Sequence, residues 1–267
     1  ITYNHAPYIA EAIDGVLRQK TGFLFELVIG EDCSTDGTRE IVLDYGARYP
    51  EVIRVVTSTR NVGAEANVSR TTGACRGRYI AWCEGDDFWH REDKLQMQIA
   101  YLEAHPDCGL VCSDYDYLDA RTGRRIAAYN RYRERTPPPR PNISGFLRGE
   151  YGVRTCTACA RLDDVRSIMA SDRQLYAAQR FLMTDTPLFA EIVHRSRMHY
   201  FDEPLATYRV LPESASRSKD PSLNQRFQTS FADMCVYLSR KYDLPAEEVR
   251  EYEQKLCDSR LLLAFIE

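Results

Sequence analysis

Apolar positions along the first hundred or so residues switch repeatedly between two periods. Ile9, Ala12, Ile13, Val16 and Leu17 recur at helical spacing within Pro7 to Arg18, and Phe23 to Ile29 is then a compact apolar run of strand length. The alternation continues with a helix from about Thr38 to Tyr49 that stops at Pro50, a strand at Val52 to Thr57, a helix at Val62 to Thr72 and a strand at Tyr79 to Cys83. A helix after Asp93 to about His105 precedes a strand at Gly109 to Cys112. Strands alternating with helices predict an α/β fold, a mostly parallel sheet covered on both faces. Ligands of such sheets gather beyond the carboxyl ends of strands. Two acidic loops, Glu31 to Thr38 and Glu84 to Asp87, follow such ends. Ile1 to Tyr3 reads as the end of a buried strand whose earlier residues are missing.

The second half is less regular. Arg121 to Pro141 holds seven arginines, one acid and four prolines, which predicts a mobile, basic, extended insertion. It reads as a solvated loop or, more sharply, as a flap attracted to anionic phosphate or lipid headgroups. Thr186-Pro187 is a favoured helix start and leads into an apolar helix over Leu188 to His194. After Ser222 the spacing of Phe227, Phe231, Met234, Val236 and Leu238 predicts packing helices to the end. Their mixed charges favour packing over lying on a membrane. The organisation expected is an α/β half over 1–105, a less regular half over 106–218 and a helical extension over 219–267.

Composition narrows the function. Apolar residues make up 44% and charged residues 28%, ordinary for a soluble domain, and the formal charge of −4 argues against a nucleic-acid binder. No apolar run approaches a bilayer span and no signal segment opens the chain, so the expected address is the cytoplasm, free or as the alternative peripheral at the inner membrane face. The nine cysteines lack a framework spacing and predict reduced, buried thiols; Cys156 and Cys159 form a CxxC without a second pair to complete a zinc site.

Glu84-Gly85-Asp86-Asp87 packs carboxylates that repel unless a cation or protons intervene. Magnesium or manganese would relieve that repulsion and bridge to a diphosphate; the bland alternative is an acidic turn before a helix. Asp32 ends a neighbouring strand and can accept from a base N–H, while Ser34 and Thr35 precede helix amides that can receive anionic oxygens or simply be capped.

At this point Thr2-Tyr3-Asn4-His5, Glu31 to Thr38, Arg60-Asn61-Val62-Gly63 with Asn67, Gly77 to Ile80 and Glu84 to Trp89, taken in order, resemble a family 2 glycosyltransferase of GT-A fold over roughly Ile1 to Ser218. The resemblance implies that Tyr3 stacks on uracil or another base, that Asp32 hydrogen-bonds it, and that Asn4, Ser34, Arg60 and Asn67 border the donor. It aligns Glu84 and Asp86 with the DxD positions, with Asp86 or Asp87 touching the metal. Met183 to Phe189 is similar to the family's acidic pair at a helix start, which would make Asp185 the base for the acceptor hydroxyl. An ordinary carboxylate is ionised at neutral pH, as that role requires, although one at a helix start is also favoured by the helix dipole. The implied reaction inverts the sugar, moving it from a nucleotide-sugar, UDP preferred, to a glycan or lipid-linked acceptor in surface polysaccharide or lipopolysaccharide synthesis.

Two departures stand out. Tyr208-Arg209-Val210 is followed by Leu211 where relatives often carry His, and Thr155-Cys156-Thr157 lacks the His of a similar stretch. A non-catalytic sugar-binding relative is therefore the competing reading, one that would tolerate loss of Asp185. A sugar nucleotidyltransferase would need a Gly- and basic-rich phosphate loop where this chain has Asn4-His5-Ala6-Pro7.

Overall fold

The computed structural model describes residues 1–176, 180–212, 214 and 217–267. Its strands are β1 (Leu27–Gly30), β2 (Ile53–Val56), β3 (Tyr79–Ala81), β4 (Phe88–Trp89), β5 (Cys108–Asp119), β6 (Arg125–Ile126), β7 (Cys159–Arg161) and β8 (Arg197–Val210). The predicted helices of the first half form at Ile9–Leu17, Thr38–Arg48, Ala64–Ala74 and Lys94–Ala104. The α/β class holds, but the strand directions are mixed rather than mostly parallel. β1 pairs with β2 in parallel, and Thr2 bridges Glu31 beside them, also in parallel. The larger sheet runs β3-β7-β5-β8-β4; its β5–β8 pair is parallel, whereas β3–β7, β5–β7 and β4–β8 are antiparallel. The reason is that the late strands β7 and β8 insert on either side of β5, between it and β3 and β4, so the sheet does not grow by successive parallel crossovers.

Two of the three register shifts of β5 against β8 fall near Pro204, where a strand lacks an N–H to donate. The run Phe23 to Ile29 is strand only from Leu27; Phe23 and Phe25 pack on Val16 and Trp89 while Leu24 is exposed. The main core joins β5 and β7 to the helices Leu162–Ser171, Asp185–Arg195 and Pro221–Lys241. The last of these packs with Ala246–Ile266 as a hairpin, and Lys241 links it to the buried Glu191 and to Asp172. Among the described residues no helix is long and apolar enough to cross a membrane.

Residues 121–141 differ from a mobile, extended insertion. They contain β6 and a short helix, Tyr129–Tyr132, and two buried aspartates of β5 hold them. Asp114 accepts from the amides of Asn130 and Arg131 at 2.9 and 3.2 Å, and Asp116 accepts from the Ala128 amide at 3.1 Å and pairs with Arg125 at 2.6 Å. A buried carboxylate seeks donors, and here the donors come from the basic segment itself.

Candidate active site

The donor-side loops converge at the carboxyl end of β1 by backbone-directed bonds. Asn4 adopts a left-handed φ of 55° and its Oδ1 accepts from the Thr35 amide at 2.9 Å, while its own N–H donates to Ser34 Oγ at 3.0 Å. Asp36 accepts from the amides of Ala6 and Thr38, both at 3.0 Å, and the Thr38 hydroxyl accepts from the His5 amide. Segment 3–6 is thereby zipped to the loop 34–38, leaving the Tyr3 ring 42% exposed beside it. Asn4 and Ser34 are thus held in the structure by each other's loops.

Asp32 is buried, with one oxygen accepting from the Val62 amide and the other from the Gly63 amide, both at 2.9 Å. Its carboxylate fixes the 61–63 turn. Asn67 faces inward instead of into the cleft: its Nδ2 donates to the Gly30 carbonyl at 2.9 Å and its Oδ1 accepts from Arg70. A Cβ on Gly30 would stand 2.6 Å from Asn67 Oδ1, so glycine is what lets this helix approach β1. Arg70, unmarked in the sequence, is the hub here; it also donates to the carbonyls of Thr57 and Glu31. Arg60 is exposed at the rim.

The acidic loop follows β3. Its middle residue touches the chain start, since Gly85 N–H donates to the Ile1 carbonyl and a Cβ there would lie 2.6 Å from Thr2 Oγ1. Asp87 points inward, buried, and accepts from the Arg209 amide of β8 at 2.7 Å. Burial, reinforced by Glu84 and Asp86, holds its carboxyl well above the usual range. The Glu84 Oε2 atom is buried with no hydrogen-bond partner. Burial, then the charges of Asp185 and Asp86, push the Glu84 carboxyl up to about 7. Arg209 braces the loop from the other side, donating to the Asp86 carbonyl at 2.6 Å, pairing with Glu11 and lying over the rings of Tyr8 and Phe88.

Asp185 opens the helix Asp185–Arg195. Its Oδ2 accepts from the Thr155 hydroxyl at 2.6 Å and its Oδ1 from the Thr186 amide at 2.7 Å. The next residue, Cys156, is buried, and its carbonyl accepts from Trp89 Nε1 at 2.8 Å, just past the acidic loop. Two consecutive residues therefore join the late aspartate to the early acidic loop, and the edge-on contact of Trp82 with Phe189 at 5.6 Å sets the helix against β3. Thr155, Cys156, Arg209 and Arg70 escaped the sequence reading; the only signal was that Thr155 to Thr157 and Tyr208 to Val210 fall in segments noted for a missing His. Cys156 and Cys159 are free and buried, in accord with a structural role.

The site suits a divalent cation in one respect and not in another. Among the described residues no three His, Cys, Asp or Glu side chains form a ready cage. Yet an orphaned, buried Glu84 oxygen next to Asp86 is an oxygen-rich, charge-frustrated position, and magnesium or manganese characteristically takes one or two carboxylates plus substrate phosphates.

Known proteins agree with this architecture. The Glycosyl transferase family 2 pattern matches residues 1–166. An uncharacterised Mycobacterium tuberculosis protein is 45% identical over 107 residues, which are 40% of this chain and 31% of that protein. A putative teichuronic acid biosynthesis glycosyltransferase of Bacillus subtilis, TuaG, is 37% identical over 101 residues, 38% of this chain and 39% of its own length. The matches thus span well under half of these relatives. The fold is similar to that of Staphylococcus aureus TarS 1-349 in complex with UDP-GlcNAc, at TM-score 0.64 and 17% identity over 97% of this chain and 69% of that one. It is also similar to a Pyrobaculum calidifontis mannosyltransferase in complex with GDP-Man and Mn2+, at TM-score 0.61 and 18% identity over 98% of this chain and 72% of that one. The chain belongs to glycosyltransferase family 2.

Proposed function

We propose that this chain transfers a sugar from a nucleotide-diphosphate sugar, with UDP as the preferred nucleotide, to a hydroxyl of a glycan or lipid-linked acceptor, inverting the anomeric carbon. The observation that carries the reading is the Thr155–Asp185 hydrogen bond beside the Trp89–Cys156 one, which brings a helix-start carboxylate to the acidic loop. Tyr3, half exposed beside the zipped 34–38 loop, offers a ring face to the base. Asp32 acts through the 61–63 turn that it holds, with Arg60 at the rim.

Glu84 and Asp86 would hold a magnesium or manganese ion, with Asp87 braced behind them by the Arg209 amide. Such an ion, when bound, neutralises charge on the departing diphosphate. The sugar carbon passes through an oxocarbenium-like state: the bond pair to the leaving phosphate oxygen goes with that oxygen, and the acceptor oxygen supplies a lone pair to the carbon while its proton must leave. Asp185 takes the acceptor proton at a carboxylate oxygen. The Thr155 hydroxyl and the Thr186 amide fix the rotamer of that carboxylate, so it is aimed before substrate arrives. A single displacement from the face opposite the diphosphate gives inversion.

Asp185→Asn keeps the shape and both neighbours but removes the base. Turnover should fall about 10²- to 10⁴-fold. UDP binding, read by thermal shift with manganese, should persist. An Asp185→Asn protein as active as the parent in a released-nucleotide assay across a nucleotide-sugar panel would sink the assignment, and a parent that binds UDP without any turnover would favour a non-catalytic role.

A further inference from the structure

A file of aromatic rings leads away from this site into the arginine-rich segment. Tyr208 precedes Arg209, the residue that grips Asp86 and Asp87. Its ring meets Tyr115 edge-on at 6.0 Å; Tyr115 lies 5.6 Å from Tyr129; Tyr129 stacks on Tyr117 at 4.8 Å and on Tyr132 at 6.1 Å. Exposure grows outward, from 2% at Tyr115 to 59% at Tyr132. Arg154, next to the Thr155 that holds Asp185, lies over both Tyr208 and Tyr115. The file therefore starts where the acid loop and the base meet.

Positive charge borders its outer end. Arg121, Arg124, Arg131, Arg133, Arg135 and Arg140 are all exposed, in a chain of net charge −4. Arg131 and Arg135 donate to the neutral carbonyls of Asp202 and Gly149, and Arg133 lies over the Tyr129 ring, so their charge is not cancelled. Among the described residues Arg125 is the one arginine of the segment in an ion pair. The buried Asp114 and Asp116 pin this stretch to β5, which makes the ridge a built surface.

We propose that this tyrosine–arginine ridge is the acceptor subsite and that it takes a sugar chain bearing anionic groups, carboxylate or phosphate, in preference to a neutral glycan. The inference rests on the reading of Asp185 as the base, because that fixes the side from which the acceptor arrives. The C–H face of a pyranose is apolar and covers area on an exposed tyrosine, while guanidinium forks suit carboxylate and phosphate oxygens. A string of rings with arginines at its outer end matches a chain of sugars whose charged groups lie beyond the accepting hydroxyl.

The test measures binding by the full chain to hexagalacturonate, phosphorylated maltohexaose, maltohexaose and phosphatidylglycerol vesicles at one fixed salt concentration. UDP–manganese binding is read separately on the same samples. At least one anionic oligosaccharide should bind about tenfold or more tighter than maltohexaose, and the tighter of the two identifies the anion. Arg131→Gln with Arg133→Gln should remove that preference and leave maltohexaose binding unchanged, whereas Tyr132→Ala should weaken both kinds of oligosaccharide. Equal binding of neutral and anionic chains overturns the proposal, as does binding to vesicles alone, or anionic binding that survives both variants. Loss of UDP binding by the parent protein would instead count against the donor-site reading, leaving the oligosaccharide result to stand by itself.

Discussion

Two sets of carboxylates divide this molecule. On β5, Asp114 and Asp116 have donors on both oxygens, supplied by amides at 128, 130 and 131 and by Arg125. In the loop after β3, Glu84 keeps a buried oxygen without a partner, and burial, then the charges of Asp185 and Asp86, push its proton affinity up. The side-chain chemistry is the same, yet the outcomes are opposite. A satisfied buried acid organises backbone; an unsatisfied one is held at a cost that a ligand can relieve. The contrast separates scaffold from site more sharply than acidity itself does, since both sets are equally rich in aspartate.

Between the two sets, the larger effect should come from breaking the frustrated one. Glu84→Gln should lower turnover about 10- to 100-fold, as loss of a metal-supporting group does. The same change should stabilise the ligand-free protein at pH 8 by about 1–3 kcal/mol, because ionised Glu84 is disfavoured in the fold. The sign follows from the raised affinity: between the unfolded value near 4.5 and the folded value of about 7 the folded state holds the extra proton, so stability falls as pH rises. Below pH 5 the variant should gain little. Urea unfolding at pH 5 and pH 8 in chelator checks this, and an equal effect at both pH values would break the comparison.

On the satisfied set the sign reverses. Asp114→Ala strands the amides of Asn130 and Arg131 and should cost about 2–3 kcal/mol of stability. Hydrogen exchange should quicken across 125–135 while UDP binding stays intact. Smaller still is Lys94, fully buried against the Trp89 ring at 4.2 Å and Gln98 at 2.7 Å, where burial lowers its pKa to about 8. Its folded pKa lies below the unfolded one near 10.5, so the charged lysine costs stability in full below pH 8, and the parent gains stability between pH 8 and 10.5. Lys94→Met should lack that gain, a difference of about 1–2 kcal/mol between parent and variant denaturation curves.

The sequence made the donor half legible because short-range rules act there. Pro50 stops one helix, the Ser34 to Thr38 loop precedes it, and the apolar spacing marks the buried faces. Strand β8 escaped because Asp202, Glu203 and Pro204 interrupt its apolar pattern, although it pairs with β5 along nearly its whole length. The inward turn of Asn67 and Asp87 was equally hidden: an amide or carboxylate in a motif does not say whether its partner is a ligand, the Gly30 carbonyl or the Arg209 amide.

By itself, then, the order of residues determined an α/β fold, the acidic loop at a strand end, a carboxylate opening a late helix and the likeness to glycosyltransferase family 2. The first three follow from periodicity and helix-start chemistry, which act over short stretches of chain, and the likeness follows from the motifs between Thr2 and Trp89 taken in order. Tertiary structure alone decided the mixed strand directions, the pinning of the arginine segment by Asp114 and Asp116, and which acids have partners. The physical reason is that satisfaction of a buried charge depends on donors brought from far along the chain, such as Arg209 for Asp87 and Thr155 for Asp185.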